Sequence, residues 1–337
     1  MTGGRLAWQS GSMLTRLAQI ARMRRVALDA VGQYRLPAGR LRFVDHGENT
    51  TFRHQSAAGR FLVRVHRPQR HGRHVDPIAA IESEIAWLEA IRTDTDLQVP
   101  RVLRSRTGAV TVQGRAAGET RTCSVLHWLD GRIKEDSRHP VHLHRLGTAM
   151  ATLHNQADRW QPPPGFVRID WNHEAFFGDE MVYGGVPAAQ CWALFPHRLR
   201  ARFEVLAERI QPVLADCADV GLIHADLHLG NVVLAGSSVK LIDFDDCGFG
   251  ARLYDLAVAV WEMRDEPAYL ACRDALLAGY RSVRDIDATG LDDFIALRQF
   301  AFQIWFTGTA QANPAFADDL AEVEQWSLDM LELVMPS

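Results

Sequence analysis

The chain has 337 residues, 47% of them hydrophobic and 23% charged, with a formal net charge of −4. This is ordinary globular composition with room for two lobes, and the slight acidity gives no ground for nucleic acid as a bulk partner. No apolar run approaches the roughly eighteen residues of a membrane span, so no membrane partner is expected; the five scattered cysteines, without a Cys-x-x-Cys pair, read as reduced thiols of a cytoplasmic protein rather than a disulfide frame or zinc site.

In chain order, Leu14, Leu17, Ala21 and Leu28 form a helical stripe with Arg16, Arg22, Arg24 and Arg25 as its wet face. The arginines faintly resemble a transit peptide, and Met13 is an alternative start to Met1. Strands follow at 41–44, 51–55 and 60–67, with turns at Asp45–Thr50 and Ala57–Gly59, and Pro68 ends the third. Residues 78–92 are helical, with Ile78, Ile81, Ile85 and Leu88 on one face. Strands near 101–105 and 109–114 flank a Thr107-Gly108 turn, and another runs from Cys123 to Leu129. Helices then dominate, at 141–157, 196–215, 251–264, 266–280, 291–308 and 316–334. The Pro-rich and aromatic 159–190 stretch reads as irregular, a lid or substrate loop. A strand-rich first third and a helical remainder make an α+β chain of two lobes, divided here into 1–126 and 127–337.

The most informative stretch is His224-Ala-Asp226-Leu-His228-Leu-Gly-Asn231, followed by Leu241-Ile-Asp243-Phe-Asp245. Two short apolar runs, 232–234 and 239–242, flank Gly236-Ser237-Ser238 and predict a β-hairpin. Counted from Ser237, Asn231 and Asp243 are both six residues away. On an antiparallel ladder they would sit opposite each other, roughly 5 Å apart. One amide oxygen and one carboxylate suit Mg²⁺, with phosphates and water filling the other positions. Asp226, in the preceding loop, could take a proton from an incoming hydroxyl. A rival reading places His224, Asp226 and His228 on one side of a strand as ligands for Zn²⁺ or Mn²⁺, which leaves Asn231 and Asp243 unused.

Upstream, Glu84 sits on or beside the apolar stripe of its helix. A buried carboxylate needs a cationic partner, and Arg64, centred in the preceding strand, is the natural one. The turn at 45–50 occupies the place of a phosphate-covering hairpin, where backbone N–H groups and the Asn49 side chain could approach a phosphate. The strand ending at Leu129 would lead to a hinge whose backbone, near Leu126 to Trp128, offers adenine a donor and an acceptor.

These segments together are E-N-T-T-F (48–52), F-L-V-R-V-H-R-P (61–68), E-I-A-W-L (84–88), W-L-D-G-R (128–132), H-A-D-L-H-L-G-N (224–231), I-D-F-D-D (242–246) and Y-D-L-A (254–257). From about residue 15 onward the chain resembles the aminoglycoside phosphotransferase and choline kinase-like family, most of all its stress response kinase A and type II homoserine kinase branch. The resemblance implies a protein-kinase-like two-lobed fold with a small β-rich N-lobe and a larger helical C-lobe, ATP and Mg²⁺. It implies Asp226 as catalytic base, Asn231 and Asp243 as metal ligands, Arg64 as phosphate-contacting cation with Glu84 as its partner, and Asp245 as an additional acid. His224 and Asp255 match structural positions. Arg64 stands where Lys is usual, and the phosphate turn has one glycine. The expected activity is transfer of phosphate to the hydroxyl of a small molecule: an amino alcohol, hydroxyamino acid, sugar or aminoglycoside. Only eleven residues separate Asp243 from Asp255 and no A-P-E follows, which disfavours a peptide platform, although the stress-kinase branch keeps a Ser/Thr protein acceptor as the alternative. Asp179, Glu180, Asp245 and Asp246, with Trp171, Trp261 and Trp305, could form a site for a cationic amine.

Overall fold

The computed structural model describes residues 16–68, 72, 74–116, 118–133 and 138–336. The first lobe is an antiparallel sheet carrying one helix on its face and another at its inner edge. Helix α1 (Arg16–Val31) precedes β1 (Arg40–His46), β2 (Thr50–Ser56) and β3 (Gly59–Val65); α2 (Pro77–Asp94) then leads to β4 (Thr111–Ala116) and β5 (Glu119–His127). The strand order is β1-β2-β3-β5-β4. Period-two alternation puts Phe61, Val63 and Val65 of β3 inward with Leu41, Phe52, Val112, Cys123 and Val125, and α1 closes this core with Met23, Val26, Ala27 and Ala30. The expected α1 stripe is corrected here: Leu17 and Leu28 are exposed, and Leu14 lies outside the described residues. The helix rotates its small residues inward because it lies close on β4, where a Cβ on Gly114 would come within 2.6 Å of the Val26 carbonyl oxygen.

Helix α2 is started by Asp76, whose carboxylate accepts from the Ala79 N–H, and by Pro77 in its first turn. Ile81, Ile85 and Leu88 are buried as expected, while Ile78 is exposed. The expected strand at 101–105 is not a ladder strand. It makes a single bridge, Val102 to Leu126, supported by Leu103 N–H to the Val125 carbonyl and His127 N–H to the Arg101 carbonyl.

The second lobe contains β6 (Arg132–Ile133), α3 (Pro140–Arg159), β7 (Ile169–Trp171), α4 (His173–Phe177), β8 (Val182–Tyr183), β9 (Val186–Pro187), α5 (Ala188–Ala193) and α6 (His197–Ala215). It continues with β10 (Val220–Ile223), β11 (Val232–Ala235), β12 (Ser238–Leu241), β13 (Gly248–Ala251), α7 (Arg252–Trp261), α8 (Tyr269–Arg281), α9 (Leu291–Ala312), α10 (Pro314–Ala317) and α11 (Leu320–Val334). Two small sheets, β10-β13-β7 and β12-β11-β6, sit beneath the first lobe. The 159–190 stretch is therefore not an irregular loop: it supplies β7, α4, β8 and β9 and buries Phe176, Met181 and Tyr183. Its Pro162-Pro163-Pro164 run ends before β7, and its aromatics pack a core in which Phe177 stacks on Phe300 of α9 at 4.4 Å between ring centroids. Helices α3 and α8 cross at two glycines. A Cβ on Gly147 would meet the Tyr280 N at 2.8 Å, and one on Gly279 would collide with the His144 carbonyl. Among the described residues, no helix is long and apolar enough to cross a membrane.

Candidate active site

The hairpin forms, with a register that differs from the count. Val232 pairs with Leu241 and Ala235 with Ser238, so the turn is the two residues Gly236-Ser237, with Gly236 at φ +61°. The centre falls half a residue before Ser237. Asn231 consequently opposes Ile242, whose N–H donates to the Asn231 carbonyl at 3.0 Å, and Asp243 lies one position beyond the expected rung. A one-residue slip would turn its side chain to the other face of the ribbon. The backbone reverses that effect: Asp243 adopts φ 61°, ψ 65°, a left-handed conformation rare outside glycine, and lines the same cleft as Asn231.

Ahead of the hairpin, Ala225 is also left-handed, at φ +67°. Asp255 of α7 holds this bend. Its two carboxylate oxygens accept from the His224 N–H at 2.9 Å and the Ala225 N–H at 2.7 Å. His154 of α3 bonds the same carboxylate through Nε2 at 3.0 Å and the Tyr280 hydroxyl through Nδ1 at 2.9 Å. His224 is buried, with Nε2 donating to the Ile242 carbonyl and Nδ1 accepting from the Asp226 N–H. Both of its nitrogens are thus engaged within the protein. The alternative trio of His224, Asp226 and His228 does not assemble, because the bend at Ala225 breaks the strand that would have aligned it.

Asp226 projects from this bend into the cleft. The Asn231 amide nitrogen donates to both the Asp226 carbonyl and its Oδ2, each at 2.8 Å. Arg298 Nη2 of α9 donates to Oδ1 at 2.6 Å. Burial opposes ionisation of Asp226, but the Arg298 guanidinium and His228 together hold its carboxyl well below the usual carboxylate range.

On the nucleotide side, Arg64 and Glu84 are both buried and joined by a 2.7 Å bond from Nη1 to Oε1. Arg64 Nη2 also reaches Asp243 Oδ1 at 3.2 Å, and Asp245 lies 3.7 Å from Nη1. The predicted pair therefore exists, and it bridges the sheet lobe to the hairpin. Arg67, on the same segment, pairs with Glu48, with Asp245 at 3.1 Å and with Asp246 at 3.7 Å. Asn49 lines the cleft, but its side-chain oxygen accepts from the Arg67 N–H, so it braces the end of β3. The expected hinge shifts along the chain. Leu126 is buried in the sheet, bridged on both sides, and the Trp128 N–H donates to the Arg60 carbonyl. Those groups are spent on strand pairing that single-sequence reading cannot register, and it is His127, Trp128 and Leu129 that line the cleft.

The cleft encloses about 1010 Å³. Its far wall is aromatic, with Trp171, Tyr254, Trp261, Phe302 and Trp305, and Glu262 and Glu48 add carboxylates. Trp305 Nε1 donates to Glu48 Oε1 at 2.7 Å, tying α9 to the tip of the β1–β2 turn. Of the acids expected here, Asp245 and Asp246 do line the cleft, whereas Glu180 pairs outside it with His74. Asp179 is not among the lining residues either. Arg298 and Glu48 were missed. An arginine within the apolar run Phe294–Phe306 was a legible signal, since a charge on a buried helix face needs a partner.

The donor set fits a hard divalent cation. Asn231 spends its amide nitrogen on Asp226, leaving its carbonyl oxygen as the cleft-facing donor beside the Asp243 carboxylate. Burial pushes Asp243 up to about 7, and the charges of Asp245, Glu84 and Asp226 add to this while Arg64 opposes it. Like-charge crowding of that kind is what a dication relieves.

Comparison with known proteins gives four findings. The profile of the phosphotransferase enzyme family matches residues 40–291. An uncharacterised protein of Deinococcus radiodurans is 32% identical over 296 residues, covering 84% of this chain and 80% of that one. Among solved structures, a microcompartment-associated aminopropanol kinase is 29% identical, with a TM-score of 0.70 over 91% of this chain and 99% of that one. An amicoumacin kinase, solved with AMP-PNP, Ca²⁺ and Ami, is 18% identical, with a TM-score of 0.69 over 89% of this chain and 91% of that one.

Proposed function

The chain belongs to the phosphotransferase enzyme family, and from that premise we propose that it transfers the γ-phosphate of ATP, with Mg²⁺, to the hydroxyl of a small amino-bearing alcohol. The observation that carries this reading is the convergence of Asp226, Asn231, Asp243 and Arg64 on one cleft whose opposite wall is aromatic and acidic. Residues 1–126 are then the nucleotide lobe and 127–337 the acceptor lobe.

Asn231 and Asp243 would hold the magnesium, which when bound offsets charge on the phosphates. Arg64, fixed by Glu84, is placed to contact the phosphates as a planar fork that serves carboxylate and phosphate at once. Asp226 orients the acceptor hydroxyl. As the new O–P bond forms and the bond from phosphorus to the bridging oxygen of ADP breaks, the hydroxyl proton passes to the Asp226 carboxylate. Most of the acceleration comes from positioning and electrostatics.

The Glu262 carboxylate and the Trp305 ring on the cleft wall offer the charge and the aromatic face that an ammonium group takes. The aminopropanol kinase to which the chain is similar supports the same acceptor class. The protein-acceptor alternative finds less support. The segment after Asp243 is packed as the turn Phe244–Asp246 and strand β13, with Phe244, Cys247 and Ala251 buried, which leaves little surface for a peptide.

An ADP-release screen across amino alcohols, hydroxyamino acids, sugars, aminoglycosides and a generic protein tests the reading. Preferential turnover of an amino alcohol is expected. Preferential labelling of the protein would overturn the acceptor class, and no ADP release with any acceptor would overturn the activity.

A further inference from the structure

Arg298 has no part in the transfer scheme above, yet it makes the shortest polar contact to Asp226, 2.6 Å to Oδ1. It is mostly buried and lies over the Trp261 ring with its guanidinium carbon 4.9 Å from the centroid, with the Tyr254 side chain beside it. Trp261 and Tyr254 both belong to α7 and are themselves buried.

The platform under Arg298 is unusually well fixed. Trp261 Nε1 donates to Gln299 Oε1 at 2.6 Å, and Gln299 Nε2 donates to Ser327 Oγ at 2.8 Å. Ser327 Oγ in turn donates to Gln303 Oε1 at 2.6 Å. This chain of buried polar groups locks α7, α9 and α11 together. A network of that kind is favourable only when every member is satisfied, and it then holds its elements in one arrangement. The residue next to Arg298 is thus a fixed member of the network, and the guanidinium is pinned between an indole face, a phenol and a carboxylate.

Asn231 already grips Oδ2 of Asp226 from the hairpin side. Arg298 grips Oδ1 from α9. Together they fix the plane of the carboxylate about its last torsion, a torsion that is otherwise broad. Each oxygen keeps one further lone-pair direction for the acceptor. Without Arg298 the carboxylate could turn toward His228, whose Nε2 lies 3.6 Å from Oδ2. We propose that Arg298 is a positioning residue for phosphoryl transfer, setting the direction from which the acceptor hydroxyl meets Asp226. The inference rests on the role proposed above for Asp226.

The test is steady-state transfer to the best acceptor of the screen, with Mg-AMP-PNP affinity and thermal melting measured alongside. Arg298→Met should lose about 10²-fold in kcat, the size expected of a misplaced reacting group, with both KM values within about twofold. Arg298→Lys should fall between, since a single ammonium cannot span Asp226 and Tyr254 as the fork does. Guanidinium at tens of millimolar should restore part of the activity of Arg298→Ala. Should the Met variant melt early, that rescue decides: recovery supports positioning, and none overturns it. Unchanged kcat in an otherwise active enzyme overturns the inference alone. Raised acceptor KM at unchanged kcat also overturns it, making Arg298 a binding group. A wild type inactive on every acceptor brings down the phosphotransfer reading, and this inference with it.

Discussion

Among the described residues, two that are not glycine carry left-handed backbone, Ala225 and Asp243, and they flank the two segments from which the site is built. Such conformations persist only where neighbours over-determine them. At Ala225 the neighbour is Asp255, and at Asp243 it is Arg64. Replacing Asp226 by Ala should lower kcat by about 10²–10⁴-fold while leaving ATP affinity nearly intact, because the group acts on the acceptor proton. Asp243→Ala should instead abolish metal-dependent nucleotide binding, read by calorimetry with and without Mg²⁺. Asp226, Asn231, Asp243, Arg64 and Glu84 were legible because their spacing carries chemistry. Arg298 was legible as a lone charge within an apolar run, but its partner was not, since Asp226 lies 72 residues away in sequence. Leu126 was placed one residue early for a related reason: pairing with β3 and a bridge to Val102 had already claimed that stretch of backbone.

Long periodic helices were readable to within a few residues, as in α3, α6 and α9, whereas the short strands β6, β7, β10 and β13 were not. Strands of two to four residues hold too few alternations to register against their surroundings. The hairpin shows how local geometry corrects a count. A two-residue turn displaced the register, and one left-handed residue restored the side chain to the cleft. Close helix crossing is a second element-level device. Gly147→Ala should destabilise the chain by about 1–3 kcal/mol by forcing α3 off α8, measured as a lower urea midpoint. The link between α3 and the bend at Ala225 predicts a pH effect. Burial lowers the pKa of His154, against the pull of Asp255 and with Arg252 and Arg284 adding to the lowering. The unfolded chain therefore takes up the proton first. Stability should be level above about pH 6.5 and fall below it. Asp255, whose carboxyl is held low by His154 and His224 against burial, adds a further loss as pH drops below about 4. Melting temperature against pH, in wild type and His154→Gln, checks this: the variant should show a shallower first decline, the rest belonging chiefly to His224, whose pKa burial also lowers, and keep the second.

At the scale of the molecule, the two lobes are joined in two ways: α2 sets Trp87, Leu88 and Ile91 into the apolar core of the second lobe, with Trp87 edge-on to Phe244 at 5.4 Å, and charged and polar side chains meet across the mouth of the cleft. Arg64 and Arg67 reach down from the sheet to Asp243, Asp245 and Asp246, and Trp305 reaches up to Glu48. Polar bridges of this kind can be exchanged for others at modest free-energy cost, which suits lobes that must open. Trp305→Phe keeps the ring and deletes the N–H. It should raise ATP hydrolysis in the absence of acceptor several-fold relative to transfer, because a looser mouth admits water. ADP release measured with and without acceptor gives the ratio.

The indole that anchors the Glu48 turn belongs to the wall against which the acceptor would rest. Whatever settles on that wall therefore bears on the covering over the nucleotide, and the two substrates cannot load as strangers to each other. In binding terms this predicts reciprocity: acceptor and nucleotide should each change the other's affinity by the same factor, read by calorimetry with and without the second ligand.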